Sequence, residues 1–397
     1  MKAGAWPRTG SRTVRWTPAA DGLLAVSRRQ QRSVPSSYEA AVVPAIAAEE
    51  LILGGELAAE LDDAARLLTA FDSGGAGEVA PFASVLLRSE SAASSQIENL
   101  TSSARALAEA EIGEGDRANA ALILGNVRTM QAALSLAGRL DEQAILEMHR
   151  ALVSQQSIVE AGRWRAEQVW IGGSARHPAD ADFVPPVADD VPGLMADLVA
   201  FMARDDLPPL AQGAIAHAQF ETIHPFTDGN GRTGRALLHS VLLHTGAIHR
   251  VTVPISAGLL TVRDEYFDAL TDYRAGNLEP ILRCVAQAAR TGVEVGERLV
   301  GQLRALRSDW ADSVSARSDS AVWPLMDLLV RQPVVTARVV TDQLGVSAPA
   351  AQAALQRLVQ AEILQESTGH RRNRVFRAPE VLRALDGYAA GLGRRAR

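Results

Sequence analysis

The sequence predicts a mainly α protein with small β additions, and three observations predict it. Apolar residues recur at three- and four-residue spacing over long stretches, clusters of glycine, proline and serine interrupt them, and β-prone runs are few and short. With 397 residues, 47% hydrophobic and 22% charged, the chain suits two or three domains with a full apolar core. A net charge of -6 argues against broad binding to nucleic acid or anionic membranes, although a local basic patch survives within such an average. No long apolar run spans a membrane, and the N-terminal segment with Arg8 and Arg12 has no hydrophobic stretch for export. A cytoplasmic protein without a membrane partner is expected.

Residues 1 to 35, rich in Arg, Gln, Ser and Pro around Trp6 and Trp16, read as a partly ordered arm. From Tyr38 to Phe71 the spacing of Ile46, Leu51, Leu57, Leu61, Leu67 and Leu68 predicts helix, broken by the glycines after Ser73. Further helices are expected over 82–97, 117–136, 141–153, 189–204, 210–221 and 232–244. Between Arg163 and Pro186 the pattern changes: Val169-Trp170-Ile171 and Phe183-Val184 flank a polar loop and suggest a hairpin. The only cysteine, Cys284, permits no intrachain disulfide and sits in an apolar helical pattern, as a buried small hydrophobe would.

The run His224-Pro225-Phe226-Thr227-Asp228-Gly229-Asn230-Gly231-Arg232-Thr233-Gly234-Arg235 gathers a base, a carboxylate, glycines and two arginines within a dozen residues. Histidine titrates near neutrality and suits a general base. Gly229 and Gly231 leave backbone amides free to converge at the positive end of the helix that follows. Asp228 offers the oxygen ligand that Mg²⁺ prefers, and Arg232 and Arg235 offer planar donor forks to polyphosphate. A tight turn with an exposed imidazole needs only the glycines, so the coincidence points to phosphate chemistry. Lys2 is the only lysine, which removes the Gly-Lys-Ser/Thr loop, the protein kinase strand lysine and the pyridoxal Schiff base from consideration.

The run matches every position of the pattern His-x-Phe-x-Asp/Glu-Gly-Asn-Gly-Arg-x-x-Arg and so resembles the signature of the Fic family. That resemblance implies a Fic-type helical bundle with a β-hairpin flap, and transfer of AMP from ATP to a Ser, Thr or Tyr hydroxyl of a protein. It implies His224 as base, Asp228 as Mg²⁺ ligand, and nucleotide contacts from Asp228, Gly229, Asn230, Gly231, Arg232, Thr233, Gly234 and Arg235. Phe226 is expected to face the core. The related Doc-type kinases carry lysine where Gly231 stands, which disfavours phosphorylation. By the same resemblance the flap pairs with the target protein by strand addition, and Ile171, Gly172, Gly173 and Ser174 touch the nucleotide. Tyr266 and Phe267 read first as core aromatics, while the resemblance places them where adenine is enclosed.

Upstream, Ser94-Ser95-Gln96-Ile97-Glu98-Asn99 is similar to the family's inhibitory motif Ser/Thr-x-x-x-Glu-Gly/Asn. On a helix Ser94 and Glu98 share a face, so the serine is expected to steady the carboxylate. A carboxylate paired with Arg235 would occupy the guanidinium that holds a terminal phosphate. Two roles stay open for Glu98, inhibition and the positioning of water to reverse the modification.

Near the C-terminus, residues 321–330 read as a helix, Thr336 caps a second that stops at Gly345, and Ser347 caps a third with Pro349 in its first turn. Short β-prone runs over 363–365 and 375–377 flank a basic tip with Arg371, Arg372 and Arg374. The order resembles a winged helix-turn-helix domain, with Gln352, Gln356 and Arg357 on its third helix and DNA or protein as its partner. The expected organisation is an arm over 1–35, an N-terminal helical region with the inhibitory helix over 36–115 and a Fic catalytic domain over 116–295. A linker helix over 296–320, the winged domain over 321–380 and a tail over 381–397 complete it. Three functions remain open: a self-inhibited AMP-transferase, a nucleotide-sensing DNA-binding regulator, and a helical scaffold that only binds phosphate. Use of another nucleotide, reversal of the modification and a homodimer are compatible with the first. His217, His239 and His244 have no partners at zinc spacing, and His217 is expected to be packed in the core.

Overall fold

A computed structural model of the chain describes residues 6–16, 36–74, 80–115, 117–154, 156, 160–173, 177–367 and 374–395. Strand β1 (Gly10–Arg15) pairs antiparallel with β2 (Ser37–Val42), with Gly10 opposite Val42 and Arg15 opposite Ser37. The helix expected over 38–71 is therefore corrected at its start. Tyr38 and Ala40 are buried and Ser37 and Glu39 exposed, a period of two at the start of the strand, and Pro44 disfavours helix at the residue before it. Ile46 packs in the core from an irregular turn, its N–H held by the Asp197 carboxylate at 2.6 Å. The helix starts only at α1 (Gly55–Ser73).

The helical body follows the expected segments, with one helix over 104–111 that was not among them. It comprises α2 (Ala80–Ile97), α3 (Ala104–Glu111), α4 (Ala118–Leu136), α5 (Glu142–Val153), α6 (Val191–Met202), α7 (Pro209–Ile223) and α8 (Asn230–His244). Asp141 caps α5 by accepting the Ala144 N–H at 2.8 Å. Helix α7 is buried on every side from Leu210 to Ile223, which makes it the central rod of the bundle. Its alanines and Gly213 let α8 pack closely along it. Helix α9 (Ile255–Thr261) and α10 (Arg263–Arg274) lead into α11 (Glu279–Ser313), a continuous 35-residue helix. The domain boundary expected at residue 295 falls inside it. A Cβ on Gly258 would collide with the Ala288 backbone, so the α9–α11 crossing requires that glycine.

Beyond α11 come α12 (Val322–Arg331), β3 (Val334–Thr336), α13 (Ala337–Leu344), α14 (Ala348–Gln360), β4 (Gln365–Glu366), β5 (Val375–Arg377) and α15 (Pro379–Arg395). The sheet is antiparallel in the order β3-β5-β4. Thr336 and Ser347 cap α13 and α14 through their hydroxyls, and Gly345 ends α13 at φ 64°, as expected. The basic tip with Arg371 and Arg372 lies outside the described residues. Arg374 pairs with Glu366 at 3.2 Å, and Arg357 on α14 donates to the Ser315 carbonyl at 2.7 Å. One apolar cluster runs from Trp6 to Leu392, so the C-terminal helices pack on the same core as the rest. Among the described residues no helix is long and apolar enough to cross a membrane.

Candidate active site

Helix α7 ends at Ile223, and His224 follows in the left-handed region at φ 52°. Its N–H still bonds the Phe220 carbonyl at 2.8 Å, so the ring swings back over the last turn of α7. Arg165, only 4% exposed, clamps this reversal: its backbone N–H donates to the Pro225 carbonyl and its Nε to the His224 carbonyl, both at 2.9 Å. The Arg165 Nη atoms donate to the Glu167 and Pro186 carbonyls.

Phe226 points into the core, as expected, stacked on the His149 ring at 3.7 Å and flanked by Trp164 and Phe220. His149 Nδ1 accepts the Gly162 N–H, and its Nε2 lies 3.1 Å from the Asp228 carbonyl. Asn230 closes the loop on itself. Its amide oxygen accepts the Phe226 N–H and its amide nitrogen donates to the Phe226 carbonyl, both at 2.8 Å. With 2% exposure, its side chain holds the loop. Gly229 at φ 80° turns the chain into α8, whose first amides have no intrahelical partner.

A carboxylate already lies over that helix terminus. Glu98, in the turn after α2, accepts from Arg235 Nη2 at 2.7 Å and from Arg232 Nε at 3.1 Å. A Cβ on Gly231 would collide with Glu98 Oε1, so glycine is what lets the acid approach. Ser94 acts differently from the expectation that it steadies Glu98. Its hydroxyl accepts from Arg235 Nε at 2.9 Å and its carbonyl from Arg235 Nη2 at 2.7 Å, so it holds the arginine. Asn99 takes a left-handed conformation at φ 62°, which lets the chain leave α2 directly after the acid. Arg235 is 2% exposed, and Glu98 beside it helps to keep its proton in place. The Glu98 side chain retains 28% of its exposure.

Asp228 is half exposed, and one carboxylate oxygen accepts the Gly229 N–H at 2.7 Å. Among the described residues no group of three His, Cys, Asp or Glu side chains stands ready to hold a metal. One accessible carboxylate beside a helix N-terminus has the chemistry that Mg²⁺ prefers, since that ion keeps waters for most of its positions. Thr233 is fully buried, and a Cβ on Gly234 would meet Glu221, Phe220 and His217, so these two residues serve the contact with α7.

Among the described residues of the expected flap hairpin, Ile171 and Phe183 form an antiparallel bridge. Gly172 and Gly173 are exposed at φ 74° and 68°, and Ser174 lies outside the described residues. The Arg274 guanidinium sits 3.8 Å over the Phe183 ring. A cavity of about 650 Å³ opens beside it, lined by Ser11, Tyr38, Glu39, Asp182, Phe183 and Arg274. Tyr266 is a core residue, its hydroxyl 2.7 Å from His217 Nε2, whereas Phe267 stays 44% exposed. Burial and the charges of Arg165 and Arg274 lower the His224 pKa to about 3, so the ring is neutral. Burial lowers His217 to about 3 and His149 to about 4, and pushes the half-buried Cys284 thiol up to about 12.

Sequence reading missed Glu221, and also Arg165, His149 and Arg274, which are brought to the loop from elsewhere in the chain. The only local signal was Glu221, three residues before His224.

Residues 139–242 match the model of the Fic/DOC family. The chain is 32% identical over 163 residues to protein adenylyltransferase fic-1 of Caenorhabditis briggsae, covering 40% of this chain and 29% of that protein. It is 31% identical over 183 residues to protein adenylyltransferase fic-1 of Caenorhabditis elegans, covering 45% and 32%. The chain thus spans less than a third of the length of these relatives. A crystal structure of a Fic family protein from Desulfovibrio desulfuricans G20 superposes with a TM-score of 0.51 over 83% of this chain and 97% of that one, at 21% identity, a likeness of fold. The protein carries a Fic/DOC family domain.

Proposed function

We propose that the protein is an adenylyltransferase that moves AMP from ATP to a Ser, Thr or Tyr hydroxyl of a target protein, and that Glu98 holds it in an inhibited state. The observation that carries this reading is the Glu98 carboxylate seated on Arg232 and Arg235 at the N-terminus of α8. An anion site shaped by two buried arginines and free amides is filled by the protein's own acid, as a phosphate would fill it. The adenylyltransferase names of the relatives support the reaction.

In this reading His224 Nε2 takes the proton of the target hydroxyl, the hydroxyl oxygen bonds to the α-phosphorus, and the bond from that phosphorus to the bridging oxygen breaks. Pyrophosphate leaves with that electron pair. Arg235 and Arg232 grip the terminal phosphates once Glu98 yields. Asp228 would hold Mg²⁺, which when bound neutralises charge on the phosphates. The target segment would lie in the cavity beside Phe183 and Arg274, paired with the flap. Incubation with α-labelled ATP, Mg²⁺ and a fixed mixture of soluble proteins tests the reading. Glu98→Gly is expected to transfer label at least about tenfold faster than the unchanged protein, and Glu98→Gly with His224→Ala not at all. Equal transfer by the first two forms removes the inhibitory role, and no transfer by any form removes the enzyme.

A further inference from the structure

The last turn of α7 places an acid behind the base. Glu221 is buried, and its Oε2 stands 4.0 Å from His224 Nδ1. Among the described residues its Oε1 has no hydrogen-bond partner, and neither has His224 Nδ1. The Glu221 main-chain carbonyl lies near the ring and works against its loss of basicity, without a hydrogen bond of normal geometry. A buried carboxylate with one oxygen unpaired, set 4.0 Å through its other oxygen from an unpaired ring nitrogen, is unfavourable unless a further step pairs them. Closing the gap to a hydrogen bond takes about 1 Å.

From this geometry we infer that Glu221 is a positioning residue for His224, accepting its Nδ1–H so that Nε2 presents a lone pair to the incoming hydroxyl. The inference rests on the adenylyltransferase reading above. When Nε2 gains the hydroxyl proton, the ring becomes an imidazolium and the Glu221 carboxylate balances its charge. Proton and charge stay accounted for between the two side chains.

The surroundings explain why such a partner is needed. His224 lies under the influence of two cations, Arg165 and Arg274, and burial adds to their effect. An imidazole held that far down is a feeble proton acceptor. Glu221 is the carboxylate on its own helix turn. It faces Arg235 from α8, Arg274 from α10, Glu98 from the turn after α2, and His217 across Gly234. Burial, with Glu98 adding its repulsion, pushes the Glu221 carboxyl up to about 7, so part of it stays protonated while Glu98 is in place. Glu98→Gly removes one of the charges that hold that proton. The missing Cβ at Gly234 is the second sign of a made place, because any side chain there would displace Glu221 Oε1.

The test uses full-length protein with isotope-labelled histidine, carrying Glu98→Gly, with and without Glu221→Gln, and His224→Ala to assign the signal. Glu221→Gln is expected to lower the pH at which His224 titrates by about one unit, a tenfold weaker base, and to weaken the Nδ1-protonated tautomer signature. In transfer from α-labelled ATP it is expected to lower kcat about tenfold, leave KM for ATP unchanged and move the acid limb of the pH profile down. A merely structural role lowers the plateau without moving that limb. Should Glu221→Gln fold poorly in thermal melts, Glu221→Asp keeps the charge and is expected to titrate between the two. An unchanged His224 titration in a folded variant overturns the inference. Absence of transfer by Glu98→Gly overturns the enzymatic reading instead, and the titration still decides the pairing.

Discussion

Glu90 and Glu98 are two carboxylates that meet α8 from α2 and the turn after it, and the structure treats them in opposite ways. Glu90 is fully buried and its oxygens are filled: Oε2 accepts the Ser256 N–H at 2.8 Å, while Oε1 accepts from the Ser256 hydroxyl and lies 3.0 Å from His239 Nε2. Glu98 also binds cations on α8, but from a turn, with 28% of its side chain exposed. The first acid has no route out and ties α2 to α8 and α9. The second is held by two buried arginines that any other anion of suitable shape would satisfy. A sealed acid fixes structure, whereas the proposed function makes the acid at the rim of the same helix pair an exchangeable ligand.

The largest effect expected sets the sealed interior against acid. His149, His217 and His224 are neutral in the native state, with pKa values lowered to about 4, 3 and 3. Their contribution is complete above the unfolded value near 6.5 and is lost as pH falls toward 4, because the unfolded chain binds protons that the native one refuses. Glu221, raised to about 7, acts in the opposite sense between about 4.5 and 7, favouring the native state as pH falls. Three histidines against one carboxyl leave a net of two protons, worth roughly 4 kcal/mol between about pH 6.5 and 5. Denaturant titrations across that window measure it, and a flat profile contradicts the buried neutral rings.

Next comes the sealed acid itself. Glu90→Ala leaves His239 and Ser256 without their partner and is expected to cost about 3 kcal/mol in denaturant unfolding, with no rescue by phosphate. A loss below about 1 kcal/mol, within the range of surface changes, breaks the contrast with Glu98.

The smallest effect belongs to the exchangeable acid. Glu98→Gly exposes Arg232 and Arg235 and is expected to lower stability by about 1 to 2 kcal/mol. Saturating pyrophosphate is expected to restore about the same amount, since a ligand at 100 times its Kd contributes about 2.7 kcal/mol. Thermal melts with and without pyrophosphate read this directly. Equal pyrophosphate shifts in the unchanged protein and the variant mean that Glu98 and the anion do not share a seat.

These contrasts show which parts of the molecule were legible beforehand. The loop from His224 to Arg235 could be read because its groups are contiguous, and several helices because burial on one face imposes its period on α2, α4 and α5. The β1–β2 pair escaped, since Arg15 meets Ser37 across a long connection and the Ala and Val residues near Pro44 mimic a helical spacing. Glu90 with His239 escaped for a similar reason: 149 positions separate them, and neither motif nor period joins them. Ser94 and Glu98 were found as a pair, but only the fold shows that the serine holds Arg235 and the glutamate covers Gly231.

The central claim is that Glu98 occupies the seat of a nucleotide's terminal phosphate. A crystal structure of Glu98→Gly with Mg²⁺ and a non-hydrolysable ATP analogue tests it most directly. The account predicts a terminal phosphate within hydrogen-bond distance of Arg235, and a triphosphate bound elsewhere, with both arginines untouched, would contradict it.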